Sequence, residues 1–217
     1  MNDELGIQTV KALHECFSRT PTFLVIRKAL LLSTRLHWGD DTAHGDEAEM
    51  LLGLVYTGDS VNDPTVRTLK VDIEDTLRAE DRYTHPAIFL GFGEGVGFSK
   101  KTINNLAALD FTDGSKAYTM AGEGACTFAH IHSSADTALA MAEDTLLYMY
   151  AIRDSMMCNL YLTAFDIVRV SSPTLVKEAK ELCFRVDIQV KFSFNPSVTV
   201  TRGSLRLKKW TAAIENQ

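Results

Sequence analysis

Residues Leu182 to Phe194 alternate without a break between apolar and polar side chains. Leu182, Phe184, Val186, Ile188, Val190, Phe192 and Phe194 fall on one side, and Arg185, Asp187, Gln189, Lys191 and Ser193 on the other. Successive side chains of a strand point to opposite faces, so this pattern predicts a strand with one dry face and one wet face. At roughly 3.3 Å per residue it would span about 43 Å, well beyond the usual strand of about 5 or 6 residues. A strand of that length needs long partners and a covering layer, and the preceding residues supply candidates for both.

Ala135 to Arg153 predicts the longest helix, with Leu139, Ala142, Leu146, Met149, Tyr150 and Arg153 on one face and Ser133 and Asp136 at capping-box spacing. Ala87 to Phe98 predicts a strand that runs into glycines, Ala107 to Phe111 a strand leading to a turn at Asp113-Gly114, and Ala117 to His132 a strand interrupted at Gly122 and Gly124. After the helix come a strand over Leu160 to Val170, a helical turn from Ser172-Pro173 through Lys180, the long strand, and a short return over Val198 to Thr201. Tight connections favour antiparallel pairing. The expected class is therefore α+β, a twisted antiparallel sheet backed by the long helix.

Upstream, Asp3 to Phe17 carries Leu5, Val10, Leu13 and Phe17 at helical spacing. Phe23 to Leu36 predicts a second, half-buried helix, Met50 to Tyr56 a short strand, and Pro64 to Ala79 a helix through Val66, Leu69, Val71, Ile73 and Leu77. The chain thus divides into residues 1–84, helical with an acidic loop, and 85–217, the β/α core with a basic tail.

With 217 residues, 46% of them hydrophobic, the chain can bury a sizeable core. No apolar run is long enough to cross a bilayer and the N-terminus lacks a secretory pattern, so the expectation is a soluble intracellular protein with no membrane partner. Cys16, Cys126, Cys158 and Cys183 are widely spaced, which favours buried free thiols over disulfides or a zinc site. The net charge of -6 is uneven. Acids dominate from Asp40 to Asp75, whereas Arg202, Arg206, Lys208 and Lys209 stand together without an acid. Such polarity suits head-to-tail contact between copies, a solvated acidic loop and basic tail being the plain alternative; the overall sign argues against general nucleic-acid binding, and no sequence-specific nucleic-acid binding is expected.

Chemical motifs are sparse. Gly91, Gly93, Gly95 and Gly97 precede Lys100, Lys101 and Thr102, yet neither the phosphate-loop nor the dinucleotide spacing is met. A glycine-rich strand end explains the run better. His130 and His132 share a strand face, as paired metal ligands can, but a histidine pair at a sheet edge or subunit contact is the simpler reading. His37, Asp40, Asp41, His44, Asp46 and Glu47 match no calcium-loop spacing. No nucleophile elbow is present, and His14 near Cys16 faces away from it on a helix. No catalytic residue, cofactor site or metal site is assigned.

The order and texture of Pro86 to Val200 resemble the tail terminators of long-tailed bacteriophages, the family that caps the tail tube and joins it to the head. The resemblance is carried by His85-Pro86-Ala87-Ile88-Phe89-Leu90, by Phe128-Ala129-His130-Ile131-His132, by the helix Ala135 to Arg153 and by Val186-Asp187-Ile188-Gln189-Val190-Lys191-Phe192. It implies a virion structural protein rather than an enzyme: a homo-oligomeric ring, a hexamer, assembled in the host cytoplasm. Its partners would be the tail tube protein and the head–tail connector proteins, with DNA passing through the lumen. A ring needs two complementary patches on each copy. The candidate interface residues are Asp72, Asp75, Arg185, Asp187, Lys191, Arg202, Arg206 and Lys208. Two departures, the length of Pro21 to Tyr83 and the glycine run, leave another neck or tail-completion protein as an alternative. From a different class, the alternative is an enzyme with a dispersed metal site at His130 and His132.

Overall fold

The long alternating segment forms strand β9, Phe184–Phe194, and its two faces organise the rest of the molecule. The computed structural model describes residues 3–17, 22–39, 48–58, 69–74, 86–93, 96–98, 107–110, 116–119, 121–176, 181–195 and 197–200. Three helices come first: α1 Asp3–Phe17, α2 Phe23–His37 and the short α3 Ala48–Leu51. Strands β1 Lys70–Ile73, β2 Ala87–Gly91, β3 Val96–Phe98, β4 Ala107–Asp110, β5 Lys116–Thr119 and β6 Gly122–His132 follow. Helix α4, Ala135–Asn159, then leads to β7 Leu162–Val170, β8 Thr174–Leu175, β9 and β10 Ser197–Val200.

The fold is α+β. Strands β1, β2, β6, β9 and β7 lie in that order in the main sheet, with β3 on β6 and β8 on β9, while β10, β5 and β4 form a second sheet. The main sheet is mixed where wholly antiparallel pairing was expected: β1 runs parallel to β2, with Lys70 opposite Ala87 and Ile73 opposite Leu90. This strand occupies part of the segment where Pro64 to Ala79 suggested a helix. Val71 and Ile73 are β-branched and alternate with Lys70 and Asp72, a pattern a half-buried strand uses as readily as a helix. The rest of that segment lies outside the described residues.

Other local expectations shift too. Met50 to Tyr56 is not a strand: α3 ends at Leu51, and Tyr56 and Leu69 are tied by backbone bonds to Trp38 and Val55. The start of the helical turn expected from Ser172-Pro173 is instead β8, whose Thr174 pairs with Arg185, and residues 177–180 of that expectation lie outside the described residues. Helix α4 is capped by Ser134, not Ser133, the Ser134 hydroxyl accepting from the Thr137 amide, and it continues past Arg153 to Asn159. On α1 the inward residues are Thr9, Leu13, Cys16 and Phe17, while Val10 is 50% exposed. Three cysteines are buried as expected and Cys158 is exposed.

One continuous hydrophobic cluster joins residues on both sides of the 84/85 boundary. Ile26, Ala29, Leu30 and Trp38 of the α2 region meet Ile88 and Leu90 of β2, Cys126 and Phe128 of β6, Val186 to Phe194 of β9, and Ala138, Met141, Ala142 and Met149 of α4. The glycines of β6 belong to this packing. Gly122 and Gly124 stand opposite Phe194 and Phe192, and a Cβ at Gly124 would come within 2.7 Å of the Phe192 ring. They leave the space into which the aromatic rings fold, so β6 runs unbroken through both positions. Phe23 at the start of α2 stacks on Phe192 with ring centroids 6.3 Å apart and meets Phe92 edge-on at 5.7 Å.

The two end strands of the β1-β2-β6-β9-β7 path carry the same arrangement. At β1, Arg35 of α2 donates through Nε to the Val71 carbonyl at 3.0 Å and lies 3.7 Å from the Asp72 carboxylate. At β7, Arg153 of α4 donates through Nε to the Phe165 carbonyl at 2.9 Å and lies 3.4 Å from Asp166. Strand β7 also carries two register shifts against β9.

Candidate functional site

The two faces of β6 and β9 present different chemistry. On the helix-covered face, polar groups are buried and joined in a directed chain. The Trp38 indole N–H, a donor only, reaches the Thr145 hydroxyl at 3.2 Å. Thr145 Oγ1 lies 2.9 Å from His130 Nε2, and His130 Nδ1 lies 3.3 Å from the Val186 carbonyl, an acceptor only. The bonds are mutually consistent when Thr145 donates to Nε2 and the imidazole carries its proton on Nδ1. Burial pushes the His130 pKa down to about 4, against the smaller upward pull of the Val186 carbonyl and of Asp144, so the ring is neutral near pH 7. Beside this chain, His37 Nε2 meets Asp144 Oδ2 at 2.6 Å, and the His37 ring stacks on Tyr148 at 4.1 Å. The Tyr148 hydroxyl is held by the carbonyl and hydroxyl of Ser33.

This geometry corrects the reading of His130 and His132 as a sheet-edge or subunit-contact pair. Strand β6 is central, between β2 and β9, and both side chains are buried. His132 Nδ1 accepts the Ser134 amide at 3.0 Å, and both nitrogens of His130 are engaged within the fold. Among the described residues no group of three or more histidines, cysteines or acids is placed to hold a metal ion. His37 turns inward to Asp144, and Asp40, Asp41, His44, Asp46 and Glu47 lie outside the described residues.

On the opposite face two of the expected interface residues, Arg185 and Asp187, meet each other. Arg185 of β9 forks onto Glu74, with Nη1 to Oε1 at 2.7 Å and Nη2 to Oε2 at 3.3 Å, and its Nε donates to Asp187 Oδ1 at 2.7 Å. Burial works against the guanidinium's charge, and the two carboxylates more than offset it, so its pKa is raised. These three residues, with Gly91, Gly93, Ala125, Thr127 and Gln189, line a cavity of about 290 Å³. Gly91 makes the carboxylate's place: a Cβ there would stand 2.9 Å from Glu74 Oε2. Gly91 and Gly93, the first two glycines of the run, thus make room beside a paired carboxylate. Two carboxylates against one guanidinium leave the cavity with a formal surplus of one negative charge.

Asp72 lies apart at the β1 edge with Arg35, and Lys191 is exposed further along β9. Asp75, Arg202, Arg206 and Lys208 lie outside the described residues. Glu74 was visible in the sequence only as one acid among many; its partner Arg185 is 111 positions away, and no local pattern connects them. Thr145, Asp144 and Tyr148 carry no local signal either, since they sit on α4 among apolar residues. No helix among the described residues is long and apolar enough to cross a membrane. Comparisons of the chain with protein-family models and with curated proteins find no match.

Proposed function

We propose that this protein is a virion structural protein, a tail terminator that caps the tail tube of a long-tailed bacteriophage and joins it to the head and neck as a homo-oligomeric ring, a hexamer. The observation that carries the reading is the asymmetry of the main sheet. One face is covered by α2 and α4; the other buries a second apolar cluster, Ala87, Phe89, Ala129, Ile131 and Cys183, and beside it presents a row of polar and charged β9 residues, Arg185, Asp187, Gln189 and Lys191, only partly shielded from solvent. Polar rows of this kind suit contacts between repeated copies, which must be complementary yet soluble before assembly. Both ring nitrogens of His130 and Nδ1 of His132 are engaged in internal bonds, which favours a structural role over catalysis at His130 and His132. A net negative protein lining a lumen repels DNA and does not grip it, as passage requires.

A second reading, another neck or tail-completion protein, is favoured by the way α1, α2 and β1 are built into the core, a larger N-terminal part than a minimal terminator needs. Both readings place the protein in the virion, with tail tube and connector proteins as partners. The purified protein should form rings by electron microscopy, or assemble on isolated tail tubes, with assembly weakened by salt. A strictly monomeric mass by light scattering at tens of micromolar, together with no tube binding, removes both readings.

A further inference from the structure

We infer that the cleft beside Glu74 and Asp187 receives a basic side chain from the Arg202–Lys209 segment of a second copy of this chain. The inference rests on the ring reading and names the contact that would build it. Two glycines and an alanine, Gly91, Gly93 and Ala125, leave a space of about 290 Å³ on the open face of the sheet. The side chains around that space are polar: Glu74, Thr127, Arg185, Asp187 and Gln189. Arg185 neutralises one of the two carboxylates, and the surplus negative charge lies beside hydroxyl and amide oxygens that accept hydrogen bonds. Such a site selects an elongated cation rich in donors, a lysine or arginine side chain, over an apolar group or an anion.

The chain itself holds a matching segment, with Arg202, Arg206, Lys208 and Lys209 and no acid within Arg202–Lys209. The occupant is a neighbour's segment because a head-to-tail ring needs two complementary patches on each copy. A neighbour's tail, in a head-to-tail ring, meets the cleft from outside.

The test uses full-length protein carrying Arg206→Glu and Lys208→Glu, so that its own segment does not compete, and a fluorescent peptide with the sequence of Arg202–Lys209. Anisotropy should report saturable binding that weakens about tenfold when Asp187→Asn is added, and that weakens with salt. Gly93→Lys provides a second variant that leaves Glu74, Arg185 and Asp187 untouched. A Cβ at Gly93 meets nothing within 4 Å, so the new ammonium can occupy the cleft, and binding should fall likewise. Absence of peptide binding, or equal binding by both variants, overturns the inference whatever the protein's mass. The ring reading is judged separately, by the mass and tube binding of the unaltered protein: rings that form equally well with Asp187→Asn and Gly93→Lys would leave that reading standing and remove this contact.

Discussion

The helix-covered and open faces of the main sheet are built from the same strands, yet they treat polar groups in opposite ways. Under α4, His130 and Thr145 are buried at 0% exposure and each bond direction depends on the next. On the open face, Arg185 and Glu74 keep 25% and 22% of their side-chain surface and satisfy one another at the boundary with water. A buried polar chain tolerates little change because any unpaired member bears its full desolvation penalty. A half-exposed ion pair can exchange partners with solvent, and with another protein. Both faces bury apolar residues, Ala87, Phe89, Ala129, Ile131 and Cys183 on the second; what differs is that the polar chain under α4 is sealed, while the Arg185–Glu74 pair stays at the boundary with water.

The sharpest way to break this contrast is to hollow out the covered face. Phe192→Ala removes a ring packed on Gly124, Phe23 and Phe194 and should cost about 3–5 kcal/mol by urea denaturation, whereas Lys191→Ala, the next residue along but exposed, should change stability by less than about 0.5 kcal/mol. Equal effects would mean that the two faces are not distinguished energetically.

The next largest effect is acid sensitivity. The folded pKa of His130 lies below its unfolded value of 6.5, so the unfolded chain takes up its proton first as pH falls. The contribution is fully present above about pH 6.5 and is lost as pH drops toward 4, amounting to on the order of 3 kcal/mol. Denaturation midpoints measured across that window should fall with pH, and the slope should shrink in His130→Gln. An unchanged slope would assign the acid loss to carboxylates.

The smallest of the three effects tests the open face. Arg185→Met leaves Glu74 and Asp187 facing one another without a cation and should cost about 1–2 kcal/mol. That cost should diminish in 0.5 M salt, which screens the remaining repulsion. A salt-independent loss would show that Arg185 acts through its packed stem, not its charge.

How far the sequence spoke differs between the same two faces. The alternation of β9 correctly separated Val186, Ile188, Val190, Phe192 and Phe194 from Arg185, Asp187 and Gln189, because a period of two is a local property of the strand. Helices α1 and α2 were legible for the same reason at the helical period. The strand β1 was not, because four residues with two β-branched side chains carry too little periodicity to decide between helix and strand. Gly122 and Gly124 looked like an interruption, and their reason lies across the sheet in Phe194 and Phe192. The site depended on distant pairs: His37 meets Asp144 at a separation of 107 residues, and Arg185 meets Glu74 at 111. The residue types were in view, but the fold chose the partners.

The arginines at the two end strands, β1 and β7, bear on what kind of assembly the molecule can enter. A strand added beside β1 or β7 would have to displace Arg35 from the Val71 carbonyl or Arg153 from the Phe165 carbonyl, and would then face Asp72 or Asp166 stripped of its counter-charge. An added strand is thus opposed at β1 and at β7, which guards these two edges of the sheet against edge-to-edge aggregation.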